Sequence, residues 1–166
     1  MYRPILATLG FILSRDKKSV LLIHRNKRSD DEHLGKYNGL GGKMEAGEDV
    51  LACLKREIYE EAGIHCTETE LRGTISWPGF GKNGENWFGF IFLVNGYQGE
   101  PQATNAEGDL HWKLISDLGS LPMWEGDKYF LPMVFDGNPM PFHGHMVYAD
   151  GHPVSWNYSR GQLSLQ

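Results

Sequence analysis

Hydrophobic and polar positions divide this chain into short apolar runs and one clear amphipathic helix. Ile5–Leu13 and Val20–Arg25 are strand-like runs, and the polar stretch Ser14 to Ser19 between them predicts an antiparallel hairpin. Asn26 to Gly42 is polar and increasingly glycine-rich, so a loop with a tight turn at Gly39-Leu40-Gly41-Gly42 is expected. From about Asp49 to Ala62, the residues Val50, Leu51, Leu54, Ile58 and Ala62 recur at helical spacing and share one face. Gly63 supplies the usual stop. Leu71–Trp77, Trp87–Val94 and Leu110–Leu114 read as further strands, with a glycine-rich loop at 78–86. Ser116–Leu118 and Lys128–Phe135 read as short helices. Gly144–Tyr148 and Val154–Tyr158 read as a closing hairpin around Ala149-Asp150-Gly151-His152-Pro153. No repeat or linker interrupts the pattern, so residues 1–166 are expected to form one α/β domain.

Composition narrows the possibilities. The 166 residues suit one domain with a real core, and 40% hydrophobic against 22% charged residues is a globular balance. A formal net charge of −5 argues against a broad grip on a nucleic-acid polymer. It leaves room for a small anion, because a bound cation reverses the local field. Cys53 and Cys66 form neither a disulfide framework nor a zinc set, which points to a reducing, cytoplasmic setting. The run Ile5–Leu13 is too short to span a bilayer, and its basic residues follow it, against the order of a signal peptide. No membrane association is expected; a monomer suffices, and the oligomeric state stays open.

The chemistry concentrates in one segment. Glu57, Glu60 and Glu61 share a neighbourhood at the border of the apolar stripe. Like charges at this spacing destabilise a helix by roughly 0.2–0.5 kcal/mol per pair, and partial burial worsens the repulsion. A divalent cation resolves the conflict, and oxygen-only ligands suit Mg²⁺, or Mn²⁺. Arg56 precedes Glu60 by one turn and is placed to pair with it. The preceding glycines allow a turn that aims a carbonyl at the same ion, and Lys43 adds a cation beside it. A P-loop is excluded, since Tyr37 stands at its first glycine and Met44 at its hydroxyl position. A dinucleotide fingerprint from Gly39 fails at Met44 as well.

Gly42, Glu48, Arg56, Glu57, Ile58, Glu60, Glu61, Gly63 and Ile64 stand in the register of the Nudix box. The segments Tyr37 to Lys43, Leu121-Pro122-Met123-Trp124 and Phe142 to Tyr158 further resemble the MutT-homologue branch, which acts on oxidised purine nucleoside triphosphates. The resemblance implies an α/β/α sandwich around a mixed sheet. It also implies release of nucleoside monophosphate and pyrophosphate from a small nucleotide such as 8-oxo-dGTP or 2-hydroxy-dATP. Carried over, Glu57, Glu60 and Glu61 ligate the metal with the Gly41 carbonyl, and Glu107 is a further acidic ligand. Glu60 and Glu107 are both candidates for accepting a proton from water. Thr8, Arg25, Asn38, Leu40, Gly41, Gly42, Lys43, Trp87, Trp124 and Asp127 match substrate-contacting positions, with Asn38, Trp124 and Asp127 at the base. Competing readings make Trp124 a core aromatic, Trp87 simple packing and Asp127 a helix N-cap. A second aspartate position of the family is Gly126 here, so a carboxyl is either lost or replaced by Glu125 from another direction. Alternative substrates are an ordinary nucleoside triphosphate, a dinucleoside polyphosphate, ADP-ribose or an RNA 5′ end; a non-catalytic nucleotide sensor is a further class. The tail histidines His143, His145 and His152 lack the carboxylate or cysteine pattern of a metal site.

Overall fold

Near-continuous apolar runs place two strands where both faces are covered. β1 (Ile5–Leu13) and β5 (Trp87–Gln98) are those strands. In the computed structural model, which describes residues 1–161, they pair in parallel from Ile5↔Trp87 to Ile12↔Val94. The last five positions of the expected domain lie outside the described residues. β4 (His65–Trp77) lies antiparallel to β5, and β7 (Phe142–Ala149) extends the sheet in parallel beyond β4. The closing hairpin is completed by β8 (His152–Arg160). On the far side, β2 (Ser19–Arg25) meets the end of β1 at Ile12↔Leu21 and Leu13↔Val20. β3 (Tyr37–Asn38) and β6 (Gly108–Leu114) both pair with β2, giving an eight-stranded mixed sheet. β4 starts at His65 and β5 runs to Gln98, because backbone pairing continues past their apolar segments with irregular register in β4.

Alternation along the strands sorts side chains into two layers. Ile12, Leu21, Ile23, Phe92 and Val94 pack beneath helix α1 (Val50–Ala62). Phe11, Leu13, Val20, Leu22, Ile91 and Leu93 pack on the other face, against a 3₁₀ turn (Ile115–Ser120) and helix α2 (Asp127–Phe135). This is the expected α/β/α sandwich with a mixed sheet.

Helix α1 starts where the Asp49 carboxylate accepts from the Ala52 N–H at 2.8 Å, and stops at Gly63, whose φ of 72° is left-handed. Its inner face differs from expectation at one position. Leu51 is 39% exposed, and Cys53 joins Leu54, Ile58 and Ala62 against the sheet.

A buried cation closes the opposite layer. Arg72 of β4 is 1% exposed and donates to the carbonyls of Val134 (2.9 Å), Met133 (3.1 Å) and Asn138 (2.8 Å). Carboxylates of Glu70 and Asp136 balance its charge at 2.8 and 3.0 Å. The guanidinium thus satisfies carbonyls that the end of α2 leaves without helical partners. Arg72→Ala is expected to lower unfolding free energy by about 3–5 kcal/mol, measured by urea denaturation, since it strands buried acceptors and charge. A loss below 1 kcal/mol would remove this residue from the account of the fold.

Candidate active site

The tight turn at 39–43 threads between β1 and α1. Gly10 and Leu40 exchange backbone hydrogen bonds at 2.5 and 2.9 Å, and the Thr8 N–H donates to the Gly42 carbonyl at 2.9 Å. This approach tolerates no side chain: a Cβ at Gly41 would collide with the Thr8 carbonyl, and one at Gly42 would lie 2.5 Å from the Glu57 carboxyl carbon. The glycine turn therefore brings bare backbone against the carboxylates of α1. The Gly41 N–H donates to Glu61 at 3.2 Å, and among the described residues no hydrogen bond engages the Gly41 carbonyl.

Glu57, Glu61 and Glu107 line one wall of a cleft of about 410 Å³. Burial, then the charges of Glu107 and Glu57, push the Glu61 carboxyl up to about 8. Burial also raises Glu57, against the opposing Arg56. Glu60 does not line the cleft; its carboxylate is 56% exposed and meets Arg56 at 3.3 Å. Arg56 grips Glu48 through two bonds of 2.9 and 2.7 Å, reaches Glu57 at 2.8 Å and donates to the Lys43 carbonyl at 3.2 Å. That pairing holds the Glu48 carboxyl down at about 2. A single guanidinium thus ties the helix to the turn before it and stands among the carboxylates as their counter-charge. Among the described residues, no three acidic, histidine or cysteine side chains already converge on one ion position. The donor set nonetheless fits a hard cation: all ligands are oxygen, and mutual repulsion across a buried wall is what a divalent ion relieves.

Glu107 reaches this wall from the loop before β6. Asn105 shapes that loop by accepting from the Glu107 and Gly108 N–H groups at 2.8 and 3.1 Å. Its amide, with that of Gln102, donates to the Glu61 carbonyl at 3.0 and 2.8 Å, so the loop is fastened to the end of α1. Arg25 pairs with Glu107 at 2.8 Å and Asp31 at 2.7 Å. Thr8, 3% exposed, also lines the cleft, with its hydroxyl 3.5 Å from Cys53 Sγ. Lys43 lines the cleft and stands 5.3 Å from the Trp87 ring.

The far end of the cleft is aromatic, with Trp77, Phe80, Trp87, Trp124 and Tyr148 around Asn38 and Asp127. The Asn38 amide nitrogen and the Trp87 indole nitrogen are buried with no hydrogen-bond partner among the described residues. Acceptors supplied by a ligand or by water would satisfy these two donors. The Trp124 N–H donates to His33 Nδ1 at 2.7 Å; burial holds His33 down to about 4, so its ring stays neutral and accepts. Lys36 stands over the Trp124 ring at 4.4 Å. Burial pushes Asp127 up to about 7.

Several expectations are corrected. Leu40 does not line the cleft; its side chain is fully buried beside Leu54 and Ile58, and its backbone is committed to Gly10. Asp127 is not an N-cap, because α2 begins with Gly126 at that position and no side-chain cap forms. Glu125 does not replace the lost carboxyl: it is exposed and pairs with His152 at 3.0 Å. Tyr148, His33 and Asn105 were not anticipated. Period-two burial through Phe142, Met146 and Tyr148 carried a signal for Tyr148, whereas His33 and Asn105 act through contacts distant in sequence.

Comparison with known proteins agrees with this geometry. The NUDIX domain family profile matches residues 4–134, and the chain belongs to the Nudix hydrolases, enzymes that split phosphoanhydride bonds. It is 33% identical over 142 residues to YvcI of Bacillus subtilis (strain 168), an uncharacterised Nudix hydrolase, covering 83% of this chain and 84% of that one. It is 30% identical over 120 residues to the oxidized purine nucleoside triphosphate hydrolase of Danio rerio, covering 70% and 76%. The crystal structure of the MutT protein from Bacillus halodurans superposes with a TM-score of 0.80 at 30% identity, covering 93% of this chain and 97% of that one. Nudix hydrolases generally use divalent cations and act on small nucleotides. No helix among the described residues is long and apolar enough to cross a membrane.

The raised carboxyls give a testable pH dependence. Glu57 and Glu61 bind protons more tightly folded than unfolded, so each opposes folding increasingly as pH rises above the ordinary carboxylate range, in the case of Glu61 up to about 8. In metal-free protein, Glu61→Gln should gain stability relative to wild type progressively as pH rises through that window. Denaturation at stepped pH with a chelator checks this, and a wild-type slope unchanged in the variant would refute it.

Proposed function

We propose that this chain hydrolyses oxidised purine nucleoside triphosphates, such as 8-oxo-dGTP or 2-hydroxy-dATP, to the nucleoside monophosphate and pyrophosphate with Mg²⁺ or Mn²⁺. The observation that carries the reading is one cleft with two chemistries: a wall of Glu57, Glu61 and Glu107 at one end and an aromatic cage with stranded donors at the other. A nucleoside polyphosphate has the same division, with an anionic chain and a planar base carrying polar edges. The name of the Danio rerio relative supports the same substrate class.

Glu57 and Glu61 with the Gly41 carbonyl would hold the cation, and Glu60 would join them only by leaving Arg56. When bound, the cation supplies positive charge against the phosphates and makes a nearby water more acidic. The protein's own residues do the remaining work. Arg25 and Lys43 face the polyphosphate and hold its oxygens. Glu107 lines the cleft whereas Glu60 faces outward, so Glu107 takes the proton of the attacking water. Lys36 covers one face of Trp124, and the base stacks on the other for roughly 1–3 kcal/mol. Asn38 meets the base edge with the donor that the protein leaves unpaired.

Two measurements test this. Glu61→Gln and Glu107→Gln should each lower kcat on the order of a hundredfold or more while thermal unfolding stays cooperative. Near-normal turnover in both variants would reject the assignment. In a nucleotide panel assayed by pyrophosphate release, an oxidised purine should exceed dGTP in kcat/KM, and Trp124→Ala should raise KM for it roughly tenfold. Comparable values for oxidised and ordinary purines would reject the substrate class.

A further inference from the structure

Gly126 precedes Asp127 at the base end of the cleft, and its surroundings explain why it carries no side chain. A Cβ there would collide with the Met146 sulfur and the Tyr148 hydroxyl. Tyr148 belongs to β7, is 5% exposed, and lines the cleft. Its ring is fixed by edge-on contacts with Phe80 and Trp124, at 5.0 and 6.3 Å between ring centres. Its backbone N–H donates to the Pro78 carbonyl at 2.9 Å, which secures the strand beneath it. The hydroxyl therefore has a defined position, against Gly126 and beside Asp127. The hydroxyl packs directly against the Gly126 backbone, 2.4 Å from where a Cβ would stand. Burial, and then the Asp127 charge, hold the phenol above its ordinary range, and it remains a donor at neutral pH.

We infer that Tyr148 is a specificity-determining residue whose hydroxyl, admitted beside Asp127 by the missing side chain of Gly126, donates to an exocyclic oxo group on the six-membered ring of the purine. The inference rests on the purine nucleotide reading and names the feature of the base that the site selects. A recessed donor reaches an acceptor that projects from the ring, and a C=O extends about 1.2 Å beyond it whereas a ring nitrogen does not. An amino group at that position would set its N–H groups against the hydroxyl and offer no acceptor for the hydroxyl's proton. That mismatch strands buried donors, the situation that gives polar sites their strongest discrimination. Asp127, ionising near neutrality, accepts from the ring N–H beside the oxo group. The pair reads a lactam edge and selects 8-oxo-dGTP over 2-hydroxy-dATP, whose six-position carries an amino group.

The minimal test uses dITP and dATP, which differ only along this edge, with Tyr148→Phe, which removes one oxygen and keeps the ring contacts. Wild type should favour dITP, and the variant should lose roughly tenfold in kcat/KM on dITP with dATP nearly unchanged. An equal loss on both nucleotides, or no loss on dITP, overturns the inference. Calorimetric binding of dIMP and dAMP, which needs no turnover, separates it from the reading beneath. A preference for dIMP that Tyr148→Phe abolishes, without pyrophosphate release from any triphosphate, sinks the hydrolysis reading and keeps the role of Tyr148. Pyrophosphate release with a base preference untouched by the variant does the reverse. Neither monophosphate binding nor turnover by wild type would overturn both.

Discussion

Glu61 is half-buried behind a glycine turn with Glu57 and Glu107 on the same cleft wall, and that concentration of negative charge governs the residues around it. Burial there weakens hydration of the charged forms, so Glu57 and Glu61 bind their protons more tightly than free carboxyls. The surrounding structure answers in two ways. Arg56 gathers Glu48, Glu57 and Glu60 onto one guanidinium, and backbone N–H of Gly41 faces Glu61 where any other residue would place bulk. Neither response removes the conflict completely. What remains is an affinity for positive charge held in a fixed place, which is what a metal-using phosphoanhydride hydrolase requires.

Holding that place is the work of both layers of the sandwich. On one face, Cys53, Leu54, Ile58 and Ala62 seat α1 so that its acidic border meets the turn. On the other, Arg72 finishes α2 and so steadies the segment whose first residue, Asp127, reaches the cleft. β7 and β8, beyond the matched family segment, continue the same sheet and bring Tyr148 to the aromatic end of the cleft.

Much of this was legible from residue order, for identifiable reasons. The helix, its Asp49 and Gly63 ends and the carboxylate register were readable because their chemistry depends on spacing within one element. Strand alternation announced both core layers. Expectation failed where direction depends on distant partners. Glu60 follows the helical pattern of Glu57 and Glu61, yet it faces outward to Arg56. Leu40 lies between cleft-lining glycines, yet bridging to Gly10 turns it inward. Glu125 had a plausible role at the base until His152, from the next hairpin, claimed it. The contact between His33 and Trp124 joins residues 91 apart, and no local pattern announces it.

The loop between β2 and β3 touches both ends of the cleft. Asp31 fastens Arg25 beside the carboxylates, and two residues later His33 receives the indole N–H of Trp124. Those attachments make the loop a calliper with its jaws set by a tripeptide. The position of the Arg25 guanidinium and that of the Trp124 indole are thereby coupled through three consecutive residues of one loop.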